Sequence, residues 1–378
     1  ELVPHWGGLC FDRADHPGFL SNVVIRGASL AAADPVKMIA AVSSSQTDMH
    51  YYGLDVDDSQ LPLIAWDSDW FTLEKSRLHI TVVGDALKIT RVNHTRIHAC
   101  DMYCGVDIID TDAIDFGNMP GDCVVWNNHF HDFMGPNNDA LDLGEDSESI
   151  LLVSNLIERC CDKGVSCGAS STLIARHNVI RDVDMGFGFK DLGSHGLIEN
   201  NTFYDCTHAV SAYEKVIGRG GASAVVRNCI VSKATVSPFY HDFMSTVDVS
   251  YSLSDTDPVE GVGNVVGDPL FLRENDDNFE LQTGSPAIDA GDPADSPDPD
   301  GTRADTGALP FDWRKGHAVI SEIHYHPTVI GQAEYVELTN PGGAPLDLTG
   351  YSFAKGITYA FPEGTTLNPG AYLVLASS

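Results

Sequence analysis

Two short words carry the residues best suited to chemistry: Asp112-Ala-Ile-Asp115 and Asp139-Ala-Leu-Asp142. Placed side by side, these four carboxylates would crowd one patch flanked by Lys88 and Lys163, with Asp162 and Asp184 just before it on later segments. Carboxylates brought together repel one another unless protonated, paired with cations or bridged by a metal. Calcium would relieve the repulsion, since it takes about six to eight oxygens from carboxylates, carbonyls and water. The other outcome is a ladder in which Asp caps corners and alternates with Lys. A second run, Asp298-Pro-Asp300-Gly-Thr-Arg-Ala-Asp305, alternates Asp around a glycine turn. It is a further calcium candidate, or a polar linker.

Bringing those words together requires a repeat. From about residue 85 to 232 the chain restates itself roughly every 22 to 27 residues, a period that marks solenoid architectures. One half of the unit is Asn before alternating apolar residues, as at Asn128, Asn155, Asn178, Asn201 and Asn228. The other half is a small residue before another alternation: Ala86-Leu87, Ala113-Ile114, Ala140-Leu141, Gly164-Val165, Gly186-Phe187 and Ala209-Val210. Each half reads as a short strand with one face inward, and Gly, Asn and Asp mark the corners. Such a unit cannot bury its own apolar face. Stacking coil on coil at about 4.8 Å does so, which predicts an all-β right-handed parallel β-helix. Trp6–Phe11 and Asn22–Ala28 fit as earlier, less regular coils, and residues 236 to 254 as one more.

Stacking predicts outward columns. One reads Asp85, Asp112, Asp139, Lys163, Met185, His208; the next reads Lys88, Asp115, Asp142, Ser166, Gly188, Ser211. Two residues on come Gly117, Gly144, Gly168, Lys190 and Tyr213. On a different face, His98 and His131 are expected to share a column with Glu158, Arg181 and Tyr204, with His94 and His129 nearby. Histidines on adjacent coils could bind zinc or copper; a solvated polar strand face is the other reading. Arg219, in Gly218-Arg-Gly-Gly221, could clamp a carboxylate or lie in solvent. Trp66, Trp70, Tyr213 and Tyr240 could stack on sugar rings or serve as packing anchors.

Composition narrows the function. The 378 residues hold 54 acidic and 22 basic side chains, a net charge of −32. That field repels phosphate backbones and excludes nucleic acid as a partner. No apolar run approaches the ~18 residues needed for a membrane span. The acidity suits a saline or calcium-bearing exterior, and an anionic substrate would need a mediating cation. Glu1 without an initiator Met, and Ser378 directly after an apolar strand pattern, suggest a processed part of a longer protein. The nine cysteines are odd in number, and Cys100, Cys160 and Cys206 are expected to stack inside with Phe133 and Val183, as buried thiols rather than disulfides.

Residues 1–254 are therefore read as the β-helix, 255–315 as a closing segment with an Asp/Pro linker, and 316–378 as a separate β-sandwich. The words Asp268-Pro-Leu-Phe271, Gly284-Ser-Pro-Ala-Ile-Asp-Ala-Gly291 and Asp305-Thr-Gly-Ala-Leu-Pro310 resemble the tail that closes many secreted bacterial β-helix proteins. The words ISEIHYHP, EYVELTNPGG, PLDLTGYSF and NPGAYLVLA resemble a bacterial lamin-tail domain. That resemblance implies an immunoglobulin-like sandwich, here only its first half or so, serving adhesion or assembly; His324 and His326 within it are read as structural.

Asn138-Asp139-Ala-Leu-Asp142-Leu and Gly186-Phe-Gly-Phe-Lys190-Asp-Leu-Gly193 resemble calcium-dependent pectate lyases. Carried over, Asp112, Asp115, Asp139 and Asp142 would be calcium ligands and Lys190 the base that removes the proton α to the uronate carboxyl. Lys190 lies about two coils from Asp142, and Lys163 lies nearer. Thr111-Asp112-Ala-Ile-Asp115 also resembles the first aspartate motif of polygalacturonases, and Gly193-Ser-His195-Gly196 their His motif, interrupted by Ser194. This implies inverting hydrolysis by an acid and base about 6.5 to 9.5 Å apart. Cys161-Asp-Lys-Gly-Val-Ser-Cys-Gly168, Phe189-Lys-Asp-Leu-Gly193 and Tyr213-Glu-Lys215 resemble secreted bacterial β-helix proteins that carry a lamin-tail module, often beside a spore-coat-H-like kinase domain. That resemblance implies a secreted or cell-surface protein without supplying a reaction.

Two classes of function stay open. One is a carbohydrate-active enzyme, a calcium-assisted lyase of acidic polysaccharide before a hydrolase. Its catalytic residues would be Lys190, Lys163 and Arg219, with Tyr213, Lys215 and His208 on substrate and Asp112, Asp115, Asp139, Asp142, Asp298, Asp300 and Asp305 on metal. The other is a non-catalytic surface protein recognising polysaccharide or matrix glycan, with contacts through the lamin-tail module.

Overall fold

The computed structural model describes residues 7–28, 40–59, 61–81, 84–274, 278–325, 333–353 and 355–376. Glu1, Trp6, His326 and Ser378, named above, lie outside the described residues. Within them the chain is all strand and turn. Parallel strands form an 18-stranded and a 10-stranded sheet. A regular coil visits three strand positions, for example Cys123–Trp126, His129–Phe133 and Leu141–Leu143. In later coils the last two positions fuse into single strands of 12 residues, Leu156–Cys167, Val179–Lys190 and Thr202–Tyr213.

Alternation explains the interior. Leu87, Ile114, Leu141, Val165, Phe187, Val210 and Phe239 stand in register on successive coils. The first six are fully buried, and Phe187 meets Phe203 edge-on with ring centroids 5.5 Å apart. Seven of the nine cysteines are buried and all nine are free. Phe133, Cys160, Val183 and Cys206 form the expected column.

Cys100 does not join that column. It sits at the corner, in line with the asparagines, and its backbone N–H donates to the Asn128 side chain at 2.9 Å. The corner residue just before each ladder residue has a left-handed backbone: Ala99 (φ 52), Asn127 (54), Ser154 (55), His177 (55) and Asn200 (52). This bend turns the chain from the 10-stranded sheet into the larger one, and the ladder residue lies directly beyond it. There the side-chain oxygens of Asn155, Asn178 and Asn201 each accept from the backbone N–H and the side-chain amide of the Asn one coil earlier, at 2.9 to 3.0 Å. The ladder supplies partners for backbone groups that no strand reaches.

Parallel pairing runs on to Val265–Val266. The antiparallel pair Phe271–Arg273 and Asn278–Leu281 follows, and Phe271, Phe279, Leu281 and Phe311 pack over the outward-facing Tyr204, Ile230 and Leu253, on the side of successive coils. Residues 305–308 extend this side packing, with hydrogen bonds to His177, Asn200, Thr202 and Asn228. Beyond it, Val319–His324, Tyr335–Thr339 and Tyr372–Ala376 form an antiparallel sheet. Leu346–Asp347 pairs with Thr366–Leu367, and Val336, Leu338, Leu348, Phe361 and Leu367 make a separate small core. This is the immunoglobulin-like part of the chain.

Candidate functional site

The strand positions Leu87–Thr90, Ile114–Gly117 and Leu141–Leu143, continued by the long strands, carry the outward strip that holds the Asp words. Lys88 pairs in register with Asp115, Asp115 with Asp142, Asp142 with Ser166, Ser166 with Gly188 and Gly188 with Ser211. Lys163, Met185 and His208 are likewise aligned, and so are Lys190 and Tyr213. The period thus brings the residues of both Asp words onto one face.

Their carboxylates do different jobs. Asp85 accepts from the backbone N–H of Asp112 at 3.1 Å, Asp112 from that of Asp139 at 2.7 Å, and Asp139 from that of Lys163 at 2.8 Å. These three aspartates form a second corner ladder, largely withdrawn from water. Burial pushes the carboxyl of Asp85 up to about 6, and that of Asp112 up to about 9 with the Asp139 charge adding to it. Burial likewise raises Asp139 to about 7, against the pull of the Lys163 charge. Asp115 instead pairs with Lys88, and Asp142 faces the Lys190 ammonium at 3.8 Å.

The raised carboxyls set a sign for stability. Unfolded Asp titrates near about 3.9, so between about pH 4 and 9 these three carboxyls hold more protons in the folded chain than in the unfolded one. Their stabilising contribution is complete below about pH 4 and is lost as pH climbs through about 6, 7 and 9. The melting temperature is therefore expected to fall from about pH 5 to about pH 9, and Asp112→Asn, which keeps the acceptor for Asp139, should flatten that slope. Thermal scans of both proteins across this range check it; equal slopes would refute it.

Cations lie within the same strip. Lys163 is 6% exposed; its ammonium contacts Asp162 and stands 3.6 Å from Asp139. Burial alone would lower its pKa, but the Asp139 charge and the Asp162 hydrogen bond raise it, so the amine stays protonated. Gly188 makes room for it: a Cβ there would lie 2.8 Å from the Lys163 side chain. Lys190, 8% exposed, donates to Ser166 and reaches Asp142 over that residue, spanning the two coils that separate them. The Tyr213 hydroxyl is raised by burial, beside Lys163. Arg219 arrives from the 214–221 loop, pairing with Glu145 at 2.6 Å and Asp191 at 3.9 Å. His208 turns aside to Ser237, and Lys215 is exposed on the loop.

The four carboxylates of the Asp words already have partners within the protein. Asp112 and Asp139 each spend an oxygen on a backbone N–H, while Asp115 and Asp142 face lysines. The 298–305 run is similarly engaged. Asp305 accepts from Asp289 and Phe311, Asp298 from Asp305, and Asp300 from Thr302 and Trp313, all backbone N–H groups at 2.6 to 3.0 Å. These carboxylates fold the linker into the segment packed on the side of the coils.

On the other face the histidines are regrouped. His98 precedes the Ala99 corner, so it lies in the 10-stranded sheet, stacked on Trp126 at 4.5 Å. Trp70 stacks on His94 at 4.2 Å in that sheet. The column of His131, Glu158, Arg181 and Tyr204 is preceded by Tyr103 and His79, not His98. Beside it, Asp101 pairs in register with His129. Among the described residues, Asp101, His129 and His131 alone make a group of three or more His, Cys, Asp or Glu whose ligand atoms lie within 4.8 Å of one another. The Asp words do not. Asp101 is absent from the sequence-based expectation, although it precedes His129 by one coil.

Residues 66–250 match the family described as Right handed beta helix region, and residues 314–378 match the Lamin Tail Domain family. Comparison with curated proteins finds no match. Among solved structures the chain is similar to the pectate lyase Pel9A, with 10% identity and a TM-score of 0.39 over 78% of this chain and 86% of that one. Among the described residues no helix is long and apolar enough to cross a membrane. The coil stack, the segment packed on its side and the small antiparallel domain account for most of the chain, whose fold is a right-handed parallel β-helix followed by an immunoglobulin-like domain similar to lamin-tail domains.

Proposed function

We propose that this is a carbohydrate-binding β-helix protein of the cell exterior, bacterial in type, which lays a polysaccharide along the Asp–Lys strip. One observation carries this reading: Lys163, Lys190, Tyr213 and Arg219 gather with Asp139 and Asp142 on one outward face, in a chain with only 22 basic residues. Arg219 and Asp142, the more open members of the group, would meet the sugar chain first, with the tips of Lys190 and Tyr213 beside them. The acidic surface favours matrix or cell-wall glycan over polyphosphate partners. The lamin-tail domain would hold the β-helix to its assembly.

Eliminative cleavage of a uronate chain is the second reading, favoured by Asp139. A carboxyl that titrates near neutrality suits proton transfer. Ionised Asp139 would accept the proton α to the carboxyl as the C=C bond forms and the β C–O glycosidic bond breaks, the Lys190 ammonium would give a proton to the departing oxygen, and Lys163 and Arg219 would hold the carboxylate. Calcium has no assigned step.

The test is a panel of neutral and uronate polysaccharides, read by affinity electrophoresis and by the absorbance of unsaturated chain ends, with calcium or EDTA. Retention by at least one polymer is expected, weakened at least about tenfold by Lys190→Ala or Tyr213→Ala through lost hydrogen bonds to charged groups. Unsaturated ends lost in Lys190→Ala would establish the lyase. Retention unchanged in both variants, or none on any polymer, would overturn the proposed binding face.

A further inference from the structure

We propose that Asp101, His129 and His131 bind a divalent transition-metal ion of the zinc class, on a face separate from the Asp–Lys strip. The local sequence dictates the geometry. On strand His129–Phe133 the side chain of Phe130 is fully buried, so His129 and His131 on either side of it point outward together. One coil earlier, strand Asp101–Cys104 buries Met102 and Cys104 and turns Asp101 outward, in register with His129.

Three ligand atoms then converge. Asp101 Oδ1 lies 3.1 Å from His131 Nε2 and 3.6 Å from His129 Nδ1, and the imidazoles stack at 4.1 Å. In a tetrahedral zinc site with bonds of about 2.0 to 2.1 Å, neighbouring ligand atoms are roughly 3.3 Å apart, so the two separations bracket that value. The third pair, the two imidazole nitrogens, lies within 4.8 Å.

The surrounding groups orient both rings. His129 turns its other nitrogen, Nε2, to Glu158 at 2.9 Å, and His131 turns Nδ1 to Asp132 at 2.6 Å. Glu158 is buried and held by Arg159 and Arg181 at 2.6 and 2.9 Å; Asp132 is held by Arg159. A carboxylate on the far nitrogen of each ligating histidine fixes ring and tautomer, as in carboxylate–histidine–zinc triads. Tyr103 stacks flat on His131, ring centroids 5.0 Å apart, which further limits its rotation. A shallow cleft of about 530 Å³, bordered by Ser154 and Leu156, opens over the group and leaves coordination positions for water or a ligand. Two imidazoles and one carboxylate suit zinc, cobalt, nickel or copper, whereas calcium and magnesium demand oxygen.

The test uses the full chain, freed of metal with a chelator and titrated with Zn2+ by calorimetry, and separately with Co2+ followed by its visible absorption. One ion per chain and a four- or five-coordinate cobalt spectrum are expected. His129→Ala and His131→Ala should each weaken binding at least about a hundredfold, and Asp132→Asn by roughly ten- to a hundredfold. His94→Ala, on the other sheet, should leave binding unchanged. The cobalt spectrum of the unmutated chain carries the test even if a variant misfolds. An octahedral, aquo-like spectrum, or equal affinity for Zn2+ in the unmutated chain and the His129→Ala/His131→Ala double variant, would overturn the site.

Discussion

Asn178→Ala is expected to destabilise the β-helix by roughly 3–5 kcal/mol, because it strips several buried groups of partners at once. The Asn178 side chain is fully buried and makes four hydrogen bonds. It accepts from the backbone N–H and side-chain amide of Asn155, and donates to the carbonyl of Leu152 and the side chain of Asn201. Alanine leaves the Asn155 N–H without a partner, and a buried donor left bare costs about 1–3 kcal/mol. The small void adds to this. Asn178→Ser should recover part of the loss, since Ser252 fills the same ladder place and accepts from the Cys229 N–H at 3.1 Å. Denaturant midpoints of the three proteins check the order; an Asn178→Ala midpoint equal to that of the unmutated chain would show the ladder to be dispensable.

Phe187→Ala should cost about 3–5 kcal/mol for a different reason, the cavity it opens. Phe187 is fully buried, stands in the apolar column between Val165 and Val210, and presses its ring against Phe203. A rigid coil above and below cannot collapse into the space. Phe187→Leu keeps most of the volume and should cost about 1.5 kcal/mol or less. Ile174→Ala, on an outward-facing position that is 36% exposed, should stay within about 0.5 kcal/mol. Urea unfolding distinguishes these cases. Comparable losses for Phe187→Ala and Ile174→Ala would mean that the inward and outward faces are wrongly assigned.

The fold was legible because a repeat announces its own geometry. Once small-apolar pairs and Asn recur, the neighbours of Asp115 and Asp142 follow without any long-range guess. What stayed hidden were consequences of atoms rather than of period. Nothing in the spelling of Asp112 or Asp139 says that each turns one oxygen back to the backbone N–H of the next coil. The places of His98 and Cys100 are not legible because the ladder position after the Ala99 corner carries Cys100, so this coil lacks the Asn that marks the corner elsewhere. Asp101 escaped notice for the related reason that its coil carries Cys100 where later coils carry Asn. Aligned on that corner, Asp101 falls directly beneath His129.

Each rung of the corner ladder, in which Cys229 follows Asn201, touches only the rung before and the rung after, at intervals of 23 to 28 residues. A stretch of that size, duplicated or lost, would leave the remaining ladder bonds intact and change the reach of the outer faces by one step of about 4.8 Å. For the polysaccharide proposed above, the number of sugar units in contact would thus be a matter of copy number, adjustable by genetic slippage without inventing a new side chain.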